Sequence, residues 1–227
     1  MMGGGIFVLF ALLAVALIAG ALISAARRRD AAKAVATSLG MQYAAGDPLD
    51  LVHLQHRLFR KGDERRIDTT LYGDLGGRRV ALCDYVYTDV THDADGVRHE
   101  SNTRLSLCAV DLDYPLPWIA VSPEGLGRRF LNAIAVGNDV QYESDEFNRA
   151  FEVLSSDRDF AYTLIDTAMM AWLMATSRSI QIEIDGTRLI AAARQLPWEQ
   201  MPAFAEKTLE FHRQIPLLVA EKYGPGR

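Results

Sequence analysis

Residues Thr91 to Glu100 read THDADGVRHE, two histidines and three acidic side chains around an Asp-Gly pair. Imidazole nitrogens bind zinc and carboxylates bind calcium, so this stretch is the first place to look for chemistry. A calcium loop of EF-hand type needs glycine sixth and a bidentate glutamate twelfth. With Gly96 sixth, the first position is Thr91 and the twelfth is Asn102, so that pattern fails. Zinc is the other choice. If Asp95 and Gly96 are the central residues of a type I′ hairpin turn, His92 faces His99 with Cβ atoms ~5 Å apart. The neighbours on that face are Val90 and Ser101, which supply no third ligand. The stretch therefore reads as a hairpin tip, with His92 and His99 the weak alternative as a metal pair. The same register sets Cys83 opposite Cys108, close enough for a disulfide if the compartment is oxidising.

No Walker loop, GxSxG elbow, HExxH helix or Cys-x-x-Cys pair occurs elsewhere, so the sequence implies no catalytic residue and no cofactor. His53 and His56 stand at helical spacing and read as flanks of an apolar face. Met169, Met170 and Trp172 form an apolar cluster that could border a small-ligand pocket. Three functions follow. The favoured one is a non-catalytic binding or scaffolding domain. The others are a metal-dependent hydrolase built on His92 and His99, and a small-ligand sensor.

The elements that position these residues begin with the N-terminus. Nothing from Met1 to Ala26 is charged, and Ile6 to Ser24 reads IFVLFALLAVALIAGALIS. As a helix those 19 residues span about 29 Å, against a hydrocarbon core of about 30 Å. A cleaved signal peptide carries positive charge before a shorter apolar stretch. Here Arg27, Arg28, Arg29 and Lys33 follow it instead, which predicts an uncleaved single-pass anchor in the cell membrane, its body cytoplasmic. In that compartment Cys83 and Cys108 stay reduced. Ala16, Gly20 and Ser24 form a small-residue row through which two spans could pair weakly. The expected partners are the lipid bilayer and an unidentified protein. A net charge of −5 gives no footprint for nucleic acid.

The organisation reads as an anchor over 1–28, a juxtamembrane helix over 29–40, a body over 41–223 and a tail over 224–227. Gly40 stops the first helix. MQYAA, IDTTLYG, RRVALCDYVYT, NTRLSLCAV and PLPWIAV read as strands, and LDLVHLQHRLF and AYTLIDTAMMAWLMA as helices. SPEGLG suits a helix start. SIQIEIDGTRLIAAA has the alternation and the Asp-Gly of a hairpin, and Pro197 opens a C-terminal helix bent or ended at Pro216. An echo between MQYAAGD-helix-hairpin and FEVLSSD-helix-hairpin suggests two similar halves. The fold class is α+β, a mainly antiparallel sheet with helices on one face. Asp84 falls between Leu82 and Val86 on the apolar face, a misfit.

The anchor with its arginines, GGRRVALCDYVYT, LPWIAVSPE and FNRAFEVLSSDRDFAYTLID resemble a family of uncharacterised single-pass membrane-anchored proteins from high-GC Gram-positive bacteria. The likeness runs over roughly residues 36 to 215, strongest at Asp84–Tyr87 and Phe147–Phe151. It implies a bacterial membrane location and carries no reaction.

Overall fold

The computed structural model describes residues 3–124, 138–176 and 179–225, without the side chains of 3–11, 14 and 138. In SPEGLG, Ser122 and Pro123 end a strand instead of starting the expected helix, and residues 125–127 lie outside the described residues, as do the last two residues of the tail.

Helix α1 (Gly3–Leu39) is continuous, so the expected boundary at 28/29 falls inside one helix. From Ala25 to Leu39 it contains neither glycine nor proline, and alanine and arginine are strong helix formers. It ends in a Schellman motif. Left-handed Gly40 donates to the Thr37 carbonyl, and Met41 donates to the Ala36 carbonyl at 2.9 Å. Met41 and Ala36 are both buried, which supplies the apolar contact that accompanies such a stop.

The body is one antiparallel seven-stranded sheet. Strands β1 (Gln42–Ala45), β2 (Glu64–Leu75), β3 (Arg78–His92) and β4 (Arg98–Pro123) pair in chain order. β4 is the spine. Its first part lies between β3 and β7 (Gln181–Arg194), and its end lies between β7 and β6 (Phe151–Ser155), with β5 (Asn138–Asp139) beyond β6. NTRLSLCAV and PLPWIAV are therefore one strand of 26 residues, not two. The register slips between Asp111 and Ile119, where the prolines cannot donate to the ladder.

The expected hairpin at Asp185-Gly186 is absent: β7 runs straight through it. Gly186, at φ +57°, sits where β4 bulges opposite it, so the left-handed residue serves a bend between paired strands rather than a reversal. Without a second hairpin, the two expected halves are not alike.

The α-helices gather on one face. The end of α1, α3 (Arg158–Leu164), α4 (Thr167–Thr176), α5 (Met201–Arg213) and α6 (Leu217–Tyr223) cover a core that includes Leu71, Leu82, Cys108, Ile119 and Ile184. Short α2 (Asp145–Ala150) is capped by Ser144, whose hydroxyl accepts from Phe147 N–H. AYTLIDTAMMAWLMA is two helices, because the Asp166 carboxylate accepts from Met169 N–H and begins a new one. The other face is also buried. LDLVHLQHRLF forms no α-helix but two 3-10 turns, Leu51–His53 and Arg57–Arg60. They place Leu51, Leu58 and Phe59 on Cys83, Tyr85, Leu107 and Ile190. Each fully buried side chain of this size contributes about 1.5–3 kcal/mol.

Candidate functional site

Where α1 meets the sheet, Asp84 ceases to be a misfit. Arg28 donates from Nε to its Oδ2 at 2.7 Å and from Nη2 to Oδ1, the two-pronged contact that suits guanidinium and carboxylate. The same Nη2 donates to the Leu196 carbonyl at 2.9 Å. The guanidinium stands 5.8 Å from the centre of the Trp198 ring, and Trp198 is buried at the start of the C-terminal helices. One arginine thus joins the helix, the central sheet and the chain leading to α5. One turn on, Ala32, Val35 and Ala36 are buried in the core, and the Lys33 ammonium lies 5.5 Å from the Tyr43 ring centre. Arg27 and Arg29 are exposed and make no ion pair among the described residues.

Beside this joint is a cavity of about 650 Å³. It is lined by Ala21, Ser24, Ala25, Arg28 and Arg29 of α1 and, from the rest of the body, by Tyr43, Asp68, Thr69, Arg104 and Gln195 among others. Arg104 reaches Asp68 at 3.3 Å, and Arg66 reaches the same carboxylate at 2.8 Å. N-terminal to the cavity, the described apolar side chains of α1 are exposed, among them Leu17 at 66% and Leu22 at 64%. Ala16 and Gly20 are exposed as well, while Ser24 borders the cavity. Among the described residues no helix is long and apolar enough to cross a membrane. The run Ile6 to Ser24 lies partly outside them, since the side chains of 6–11 and 14 are not described.

The tip of the β3–β4 hairpin corrects the expected register. Asp93 and Val97 close the loop through Asp93 N–H to the Val97 carbonyl at 3.1 Å, and Gly96 N–H donates to the Asp93 carbonyl. The loop holds three residues, a type I turn followed by Gly96 at φ +79°, instead of a two-residue type I′ turn. Asp93 stabilises it by accepting from the N–H groups of Asp95 and Val97 at 3.0 and 2.8 Å. The extra residue moves every partner by one and turns the β4 side chains to the other face. His92 pairs with Arg98 and His99 with Thr91, so the two imidazoles lie on opposite faces. His99 meets the Asp93 carboxylate at 3.0 Å, which holds that carboxyl below the usual carboxylate range. Cys83 pairs with Leu107 and Cys108 with Leu82, and the two thiols belong to the two separate cores. Geometry alone forbids a bond between them.

Among the described residues no group of three or more histidine, cysteine and acidic side chains is placed to hold a metal ion. The Met169, Met170, Trp172 cluster is core. Met169 is buried, and the void beside Trp172 is about 10 Å³. That is roughly one water's worth of space and leaves no room for a ligand.

A buried polar cluster on the other face was not legible. Glu183, between Ile182 and Ile184 on β7, accepts from the N–H groups of Arg57 and Leu58 at 2.6 and 3.1 Å and from Trp118 Nε1 at 2.7 Å. It satisfies the start of the second 3-10 turn, while the Arg57 guanidinium stacks 3.5 Å from the Trp118 ring centre. His56 Nε2 donates to the Arg188 carbonyl at 3.2 Å, and its Nδ1 is buried without a partner. Burial holds its pKa below the ordinary histidine value, so the ring is neutral. Alternation alone assigns Glu183 to solvent; only the 3-10 segment packed over that face buries it.

No family model matches the chain, and no curated protein matches it. Among solved structures, it is similar to the crystal structure of the mycobacterial trehalose monomycolate transport factor A, TtfA. The TM-score is 0.55 at 13% identity, over 83% of this chain and 96% of that one. An α+β fold with an antiparallel sheet is therefore shared with a protein of the high-GC Gram-positive bacteria.

Proposed function

We propose that the protein is a membrane-tethered, non-catalytic accessory domain serving transport of an envelope component. The observation that carries this is the joint. The helix bearing the uncharged apolar run continues unbroken into the body, and Arg28 locks it to the buried Asp84 and to Leu196. An isolated apolar leader has no need of such a fastening; a tether that sets a domain at a fixed position on a membrane does. The exposed Leu17, Ile18, Leu22 and Ile23 are what a lipid-facing helix presents. The fold shared with a trehalose monomycolate transport factor supports the transport-associated reading. Arg27, Arg28, Arg29 and Lys33 support a cytoplasmic body through the positive-inside rule. The partner in this reading is an envelope transport protein.

Two experiments test it. C-terminal fusions to alkaline phosphatase and to green fluorescent protein should give fluorescence without phosphatase activity. The reverse pattern, or a mature N-terminus near Arg27, would overturn the tether. Crosslinking in intact cells, read by mass spectrometry, should then link the body to a membrane transport protein; links to soluble metabolic enzymes alone would overturn the accessory role.

A further inference from the structure

We propose that the cavity between α1 and the sheet binds the phosphate headgroup of an anionic membrane phospholipid. The inference rests on the tether reading above and specifies what the tethered joint recognises. Residues 21, 24, 25, 28 and 29 recur at helical spacing, so one stripe of α1 forms a wall that passes from alanine and serine to arginine. A lipid meets the same sequence of surfaces on leaving the hydrocarbon, first apolar chain, then glycerol, then phosphate. Exposed Leu17 and Ile18, a turn further toward the N-terminus, extend the apolar part of that path.

Charge completes the match. The cavity is lined by the guanidinium groups of Arg28, Arg29 and Arg104 and the carboxylates of Asp68 and Asp84. Asp84 is taken by Arg28, and Asp68 is shared between Arg104 and the nearer Arg66. Arg29 has no ion-pair partner among the described residues, and Arg104 holds its partner only at 3.3 Å. Both line a cavity of about 650 Å³, within the usual range of about 300–1,000 Å³ for small-ligand sites. A phosphodiester between them would be gripped by two planar forks, the geometry arginine offers to phosphate. The hydroxyls of Ser24 and Thr69 also border the space. A free phosphate would have no use for the apolar half of the wall; a lipid would.

The test uses the full chain in phosphatidylcholine nanodiscs containing a minority of phosphatidylglycerol. Spin-labelled lipids of the two classes report their relative association with the protein. The wild type should prefer phosphatidylglycerol, and Arg29→Gln and Arg104→Gln should each lower the preference roughly fivefold, the weight of one basic residue near a lipid surface. Arg27→Gln removes a neighbouring charge that does not line the cavity, and should leave the preference unchanged. Equal losses in all three variants would show diffuse attraction by a basic segment and overturn the site. Absence of any preference in an inserted wild type would overturn it too, leaving the tether intact. Cancellation by excess inorganic phosphate would assign the cavity to a free anion and reject the lipid. Failure to enter nanodiscs of either composition would reject the tether itself, and the site with it.

Discussion

Replacing Arg28 by methionine should destabilise the body more than replacing its partner. The Asp84 side chain is 4% exposed and that of Arg28 is 30% exposed. Loss of the arginine strands a carboxylate in the core, and breaking a buried pair in this way typically costs about 3–5 kcal/mol. Arg28 reaches water, so part of the pairing is screened and about 3 kcal/mol is the expected loss. Asp84→Asn leaves a guanidinium that keeps the Leu196 carbonyl and its access to solvent, at about 1–2 kcal/mol. The double variant Arg28→Met, Asp84→Leu removes both charges and should lie within about 1 kcal/mol of wild type.

Urea unfolding of the full chain in detergent micelles, followed by tryptophan fluorescence, measures all three. Trp198 beside Arg28 makes the signal sensitive to this joint. In thermal scans a loss of about 3 kcal/mol should appear as a fall of roughly 6–12 °C for a chain of this size. With the single variant Asp84→Leu added to close the cycle, the coupling should be at least about 2 kcal/mol. If Arg28→Met costs no more than Asp84→Asn, the carboxylate is not stranded in the way the burial implies. A coupling near zero would mean that the pair fastens nothing.

Three further outcomes follow from the packing. Mild oxidant should fail to join Cys83 to Cys108 in the native protein, and their alkylation should be slow, since burial pushes both thiols up, Cys108 to about 12; peptide mapping that finds the disulfide would restore the discarded register. Lys61 is pushed down to about 8 by burial, so its folded pKa lies below its unfolded one. The folded state therefore binds fewer protons at that group between about pH 8 and 10.5, and stability from this source rises with pH across the window and is lost as pH falls toward 8. Lys61→Met should make the pH slope of Tm between about pH 8 and 9.5 less positive than in wild type, on top of the opposing fall that the raised Cys83 and Cys108 thiols give to both proteins; an unchanged slope would reject the assignment. Glu183→Gln turns one acceptor oxygen into a donating amide NH2 group facing N–H donors, and should cost about 2–3 kcal/mol in urea unfolding. A loss below about 0.5 kcal/mol, the usual scale of surface changes, would show that the three donors find other partners.

What the sequence disclosed and what it hid divide along physical lines. Local signals worked. Gly40 ends α1 as expected, β1 to β3 lie where the apolar runs place them, and Pro197 and Pro216 bound the last helices. Local signals with two solutions failed. Asp95-Gly96 suits a type I′ turn, but Asp93 two positions earlier can cap a type I turn, and its carboxylate decides for the longer loop. That single residue of difference moved both candidate pairs, His92 with His99 and Cys83 with Cys108, to opposite faces. At Asp185-Gly186 the same dipeptide serves a bulge, because the deciding strand, β4, is far away in sequence. Non-local facts were out of reach. Nothing near Glu183 announces the 3-10 turns that bury it. The triplet Arg27, Arg28, Arg29 reads as a topology signal, and only the fold shows that its middle member answers the misfit at Asp84.

That double use of the triplet bears on how the body would sit at a membrane. A domain on a glycine- or proline-rich linker samples many orientations, whereas a helix without either transmits its direction. Between Ser24, the end of the apolar run, and Arg28, the first point fixed to the sheet, lie four residue steps of α1, a rise of about 6 Å. With the run in the bilayer, the sheet would stand against the headgroups, and no hinge would let it swing away. Arg28 cannot enter the hydrocarbon, since an arginine at the bilayer centre costs about 3 kcal/mol. Nor can it leave Asp84 without stranding a buried charge. The two constraints would act on one side chain from opposite directions and so limit the depth of the helix in the proposed tether. In the proposed arrangement the backbone of α1 and the sheet would bring Arg29 and Arg104 near the headgroups.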